Sequence, residues 1–219
     1  MTTADAAQRI GVSQRQVQRL ISNGRVKPTG RVGRTWVVDP SDVVDLTRTP
    51  HRPGRPWDAQ TVWVALWQLS GLDTGWACEQ TQRRVKQRLS TMGVDQLMWA
   101  CRKRAEVRRF RVSESFLPSI EWQLRLSGVS AVNMEQDLMT VRLDTLEGYC
   151  TSTEYARLVK EFFLVEDKKG NLLLRVTDEP AVSSWHGFMP SAVVGLDLSE
   201  SRDPREQASG RRRIEGLLR

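Results

Sequence analysis

The chain has 219 residues, 39% hydrophobic and 27% charged, with a formal net charge of +7. Such a composition belongs to a globular protein of one or two domains and excludes a disordered chain. No apolar run approaches the roughly 18 residues of a membrane span, and no apolar signal core opens the sequence, so the expectation is a cytoplasmic protein without a membrane partner.

Three cysteines, Cys78, Cys101 and Cys150, are widely spaced and form no C-x-x-C pair. That pattern argues for reduced thiols and against a zinc site. The charge is uneven: residues 1–56 carry ten Lys/Arg against four acids, the rest 23 against 22. The basic excess of the first quarter suits an acidic partner.

The first predicted element is a helix over Thr3–Ile10, capped by Thr2 or Thr3 and ended by Gly11. Ser13 caps a second helix, with Gln16 completing an S-x-x-Q capping box. Val17, Leu20 and Ile21 fall on one face by their i, i+3, i+4 spacing, and Gly24 stops the helix. Gln14, Arg15, Gln18 and Arg19 are left outside, with no acid among them. Two short helices joined by a glycine turn make a helix-turn-helix, whose second helix enters the major groove of DNA. Arginine pairs with guanine and glutamine with adenine at base edges, and both hold phosphates.

Residues 26–39 then read as a β-hairpin, with Arg31 and Arg34 at the tip "RVGR" and Trp36 packed inward beneath it. "PSDVVDL" follows Asp39 as a short third helix. Together these make a winged helix-turn-helix. The matching residues are Ala6-Ala7, Gly11-Val12-Ser13, Val17, Leu20-Ile21, Gly24, Val32-Gly33-Arg34, Trp36 and Asp42. On them the stretch resembles the excisionase/MerR-like DNA-binding family, over about 45 residues. The resemblance implies a head that binds double-stranded DNA.

The candidate DNA contacts in the head are Ser13, Gln14, Arg15, Gln16, Gln18, Arg19, Arg31 and Arg34. The segment "TRTPHRPGRPWD" has three prolines and reads as an extended linker, 49–57, between a head at 1–48 and a larger domain at 58–219. Its core "RPGRP", carrying Arg52 and Arg55, resembles the minor-groove arms of AT-hook proteins, although the order of residues differs.

In the larger domain "DAQTVWVALWQLSG" reads as an apolar helix with Trp63 and Trp67 one turn apart, packed in a core rather than forming an aromatic ligand cage. Two further helices are expected near Gln80–Met92 and Asp95–Ala105. "RKRAEVRRFRV" alternates as a strand with Arg109 and Arg111 on one face and Phe110 and Val112 on the other. Two readings stay open for Arg108, Arg109 and Arg111: a second phosphate-touching surface, or a solvated edge strand guarded by arginines.

Beyond lie a helix "STEYARLVKEFF", a hairpin "FFLVEDKKGNLLLRVT" turning at Gly170-Asn171, a strand "SAVVGLDL", and a terminal helix from about Pro204 to Leu218. The expected fold class is therefore α+β, a winged helix-turn-helix followed by a larger mixed α+β domain. The succession "RRFRV…LSGVSAV…GYC…KKGNLLLRV…AVVGLDLSESRDPRE…GLL" resembles the C-terminal part of actinobacterial proteins related to the AbiEi antitoxins of abortive-infection toxin–antitoxin modules. That resemblance implies an autoregulating antitoxin and a nucleotidyltransferase-type toxin as a partner. The usual head of that family is a different winged-helix type.

No enzymatic site is expected, and no cofactor or metal. There is no P-loop, G-x-G-x-x-G or G-x-S-x-G, and His51 and His186 stand far apart. Cys150 and His186 form a conceivable nucleophile pair without local support. Asp197, Glu200, Asp203 and Glu206 recur every three residues, and read as acids complementing the start of the terminal helix rather than as a cation site. The leading functional expectation is a repressor of its own operon, dimeric or cooperative on DNA, acting as an antitoxin. The alternatives are a regulator that binds a small molecule through the Trp-rich helix, and a recombination accessory factor.

Overall fold

The computed structural model describes residues 1–33, 35–47, 55–132 and 145–219. Arg34, His51 and Arg52 lie outside these residues. The chain divides into two compact units, Met1–Gly54 and Arg55–Arg219. Arg55, Pro56 and Trp57, which the sequence assigns to the linker, thus belong with the second unit; Trp57 N–H donates to Ala100 O at 3.1 Å.

The first unit opens with α1 (Thr3–Ile10) and α2 (Gln14–Ser22). Thr2 caps α1 in a full capping box with Asp5. Gly11, at φ 75°, turns the chain into the left-handed region, where a β-carbon is strained. Ser13 Oγ accepts from Gln16 N–H at 3.3 Å and starts α2. The hairpin is β1 (Pro28–Val32) with β2 (Thr35–Val38), Arg31 opposite Trp36. Met1 extends it, exchanging backbone bonds with Val38. Asp39 accepts from Ser41 N–H at 2.9 Å and begins α3 (Pro40–Thr47).

The core of this unit consists of Ala6, Ala7, Val17, Leu20, Val26, Val38 and Val43. Buried Asp42 ties the base of the hairpin to α3 by accepting from Lys27 N–H at 2.8 Å. Trp36 does not pack inward as the sequence suggested. It shares the face of Val38 but lies nearer the tip, where it carries the Arg31 guanidinium 4.0 Å from its ring centroid.

The second unit is α+β. Its elements are α4 (Ala59–Leu69), α5 (Glu79–Leu89), α6 (Val94–Cys101), β3 (Glu106–Arg111), α7 (Leu117–Glu121), β4 (Arg125–Leu126) and α8 (Gly128–Val132). There follow β5 (Leu146–Cys150), α9 (Ser152–Glu161), β6 (Val165–Glu166), β7 (Leu172–Val176), α10 (Pro180–Ser183), α11 (Ser191–Ser199) and α12 (Pro204–Leu217). The five strands run in the order β4-β5-β7-β3-β6, with β5 parallel to β7 and the other pairs antiparallel.

Alternation along β5 and β7 sorts their side chains. Leu146, Cys150, Leu172 and Leu174 meet Ile120 of α7 and Leu158 of α9 on one face. Glu147, Tyr149 and Arg175 point to the other. There Trp63 and Trp67 of α4 pack edge to face at 5.6 Å, both buried, with Tyr149 against Trp63 and Trp185 against Trp67. That packing leaves the Trp-rich helix no free aromatic face for a ligand.

Three expectations change. "SAVVGLDL" is the helix α11, not a strand, and is buried on nearly every side. A continuous apolar run carries no period, so only its packing decides. Gly210 of α12 makes that packing close: a β-carbon there would stand 2.5 Å from Gly195 O. Next, β6 and β7 are not a hairpin, because β3 lies between them and pairs with both. It follows that β3 is no edge strand.

The acids before α12 also divide. Asp203 caps α12 and Glu206 lies in its first turn, as expected. Asp197 and Glu200 instead enter a buried charge network with Arg104, Arg175 and Glu147. Arg104 donates to Asp197 and to both Glu200 carboxylate oxygens (2.8 and 2.7 Å). Arg175 donates to Glu147 at 2.8 and 3.0 Å and to Glu200 at 3.1 Å. Tyr149 and Ser127 hydroxyls donate to Asp197. Burial penalises the Arg104 cation, yet the facing acids hold its pKa well above the ordinary value.

Candidate nucleic-acid interface

Helix α2 buries Val17 and Leu20, and this fixes which side faces outward. Ser13, Gln14, Arg15, Gln16, Gln18 and Arg19 are all exposed. Gln14 is partly occupied, donating through Nε2 to Thr3 Oγ1 at 3.0 Å, which braces α2 against α1. Arg15 and Arg19 form no ion pair with a described residue. The face is therefore cationic and uncompensated among the described residues. It can offer bidentate donors to guanine and donor–acceptor pairs to adenine, as well as charge to phosphates.

Arg31 is exposed and held over Trp36, which presents its guanidinium from β1. Two further cations escaped selection from the sequence, Arg25 and Lys27, both exposed between α2 and β1. Their signal is position alone: they follow α2 directly. Arg31→Ala is expected to make the salt dependence of DNA affinity shallower by about 0.9 in log K per log salt, with sequence preference kept. Titrations at several salt concentrations check this, and a changed preference at constant slope would remove Arg31 from the phosphate contacts.

The arginines of β3 are engaged within their own unit. Arg108 bonds Glu106 at 2.7 Å and Glu166 at 2.9 Å, and Arg111 bonds Asp167 at 2.6 Å. Arg109, on the same face as Arg111, donates to Gly170 O at 3.1 Å. Arg55 is exposed.

The three cysteines differ in their surroundings. Cys150 is buried on the α9 side of the sheet, and burial pushes its thiol up to about 12, whereas His186 is exposed. Cys101 is likewise buried and raised to about 12. Cys78 differs: it is exposed at the start of α5, and the Thr81 hydroxyl bond lowers its pKa. No group of described His, Cys, Asp and Glu residues is arranged to hold a metal ion. Among the described residues no helix is long and apolar enough to cross a membrane.

Two capped helices at a glycine turn, an outward Gln/Arg face and a β-hairpin wing define a winged helix-turn-helix, the head of a DNA-binding regulator. Residues 1–49 match the family described as "Helix-turn-helix domain". No curated protein and no solved structure matches the chain.

Proposed function

We propose that the protein is a sequence-specific transcriptional repressor that reads an operator of its own operon. Helix α2 supplies the base contacts through Arg15, Gln18 and Arg19, while Ser13, Gln14 and Gln16 position its N-terminal turn on the backbone. Arg31 and Arg34 of the wing hold flanking phosphates. The observation that carries this reading is the exposed Gln/Arg face of α2, which has no acid within it and no ion-pair partner among the described residues.

The larger unit makes the repressor an antitoxin in this reading. Its support is the resemblance of the chain from Arg108 onward to AbiEi-type antitoxins, which extends over strand, helix and terminal-helix segments. The implied partner is a nucleotidyltransferase-type toxin.

The test has two arms. Footprinting of the full-length protein on DNA upstream of its own gene is expected to protect a discrete site. Co-expression with the product of the adjacent gene is expected to relieve growth arrest. Uniform protection without a preferred site would overturn the repressor, and arrest unrelieved by the chain would overturn the antitoxin.

A further inference from the structure

The second unit carries a cleft of about 710 Å³ at the start of α4, lined by Arg55, Trp57, Asp58, Arg84, Arg88 and Lys103 among others. Four of these are cations and one is an acid. Arg55, Arg84, Arg88 and Lys103 are exposed, and none forms an ion pair with a described residue. Asp58 is committed elsewhere. It caps α4, accepting from Thr61 N–H at 3.0 Å and from Thr61 Oγ1 at 2.7 Å. Burial raises its pKa, but those bonds and the nearby Arg84 charge outweigh this and hold the carboxyl below its ordinary value.

Arg84 and Arg88 stand four residues apart on α5, where like charges repel. On the same helix Arg83 is neutralised by Glu79 at 2.9 Å, so α5 spends its one acid away from the cleft. Half-buried Trp57 forms part of the wall, with the Arg88 guanidinium 5.8 Å from its ring centroid. Cations spread over α5, the turn after α6 and the segment before α4, beside an apolar ring, suit a chain of phosphates joined by sugars. They fit a single small carboxylate less well, because no buried donor is aimed at one point.

We propose that this cleft binds the sugar–phosphate backbone of double-stranded DNA, as a sequence-independent contact in addition to that of the head. The inference rests on the reading of the chain as a DNA-binding regulator. The second unit follows the first directly in sequence, beginning at Arg55. Because the two units share one chain, a contact of the cleft with DNA already on the head is intramolecular. Phosphate contacts fix register and raise affinity without reading bases.

The experiment compares full-length protein with the triple variant Arg84→Gln, Arg88→Gln, Lys103→Gln, chosen because all three side chains are exposed and glutamine keeps helix propensity at the two α5 sites. Each is titrated against an operator duplex and an unrelated duplex at several salt concentrations. The variant is expected to lose about 0.9 of salt slope per cation removed. The advantage of the wild type then shrinks about fortyfold between roughly 50 and 200 mM salt, by the same relation for three contacts. The ratio of operator to unrelated affinity stays unchanged. Equal slopes in a variant that melts like the wild type would overturn the proposal. If the triple variant melts early, Arg84→Gln and Lys103→Gln are read singly, and equal slopes there overturn it as well. Equal DNA slopes with lost calorimetric binding of tripolyphosphate would reassign the cleft to a small phosphate. Absence of operator preference in the wild type would instead sink the reading of the head, leaving the slope comparison valid.

Discussion

Replacing Arg15 and Gln18 together by alanine is expected to lower operator affinity by about 30- to 10⁴-fold, at about 1–3 kcal/mol for each good base contact. Both side chains are exposed on α2, and neither is part of the core formed by Val17, Leu20 and their neighbours. The thermal unfolding of the variant should therefore match that of the wild type. Affinity for unrelated DNA should fall much less, by the one charge lost with Arg15. Mobility shifts on operator and unrelated duplexes separate these effects. Unchanged operator affinity would mean that α2 is not the reading helix.

The second large effect concerns stability. Arg104→Met is expected to cost about 3–5 kcal/mol, because it leaves buried Asp197 and half-buried Glu200 without their main counter-charge. For a chain of this size that is a fall of roughly 6–20 °C in melting temperature. Removing charge from both sides, with Arg104→Met and Glu200→Gln together, should recover part of the loss, since the pair is coupled.

The same network sets a pH dependence. Burial raises the pKa of Glu200, but Arg104 and Arg175 outweigh it, so its folded pKa lies below the unfolded value. Its contribution is present above the ordinary glutamate range and is lost as pH falls through the folded pKa. Glu147 runs the other way: burial, only partly offset by Arg175, raises its pKa. Its deprotonation therefore opposes folding as pH rises from the ordinary value through the raised one. Acid melting curves should show the Glu200 component in the wild type and a weaker one in Arg104→Met. Identical pH profiles would show that Arg104 does not hold Glu200 ionised.

The head was legible because its signals are local. Gly11, the Ser13 cap and the triad Val17, Leu20, Ile21 each act within a few residues, and α1 and α2 start and stop where these place them. The wing was legible as a hairpin, but the placement of Trp36 was not, since alternation tells the face and not the distance from the core. In the second unit α11 and the partner of β7 depended on contacts between distant segments. Pairing of β3 with both β6 and β7 leaves no trace in the turn sequence. The charge network joins residues as far apart as Arg104 and Glu200. It did leave one readable sign: a lone charge inside an otherwise apolar run, as in "LEGYC", "LLLRV" and "VVGLDLS". A charge so placed is more often paired inside the fold than solvated. The cleft cations Arg84, Arg88 and Lys103 had no such sign, because exposed arginines on a helix are common and only their shared wall distinguishes them.

Cysteine chemistry in this fold supplies a natural handle. Cys101 and Cys150 are sealed and protonated, while Cys78 alone is open to solvent with a softened thiol. A maleimide dye thus has one preferred seat on the unmodified chain, at the entrance of the helix that carries Arg84 and Arg88. Paired with a fluorophore on the end of a duplex, that dye turns energy transfer into a ruler for how the second unit approaches DNA, without introducing a mutation.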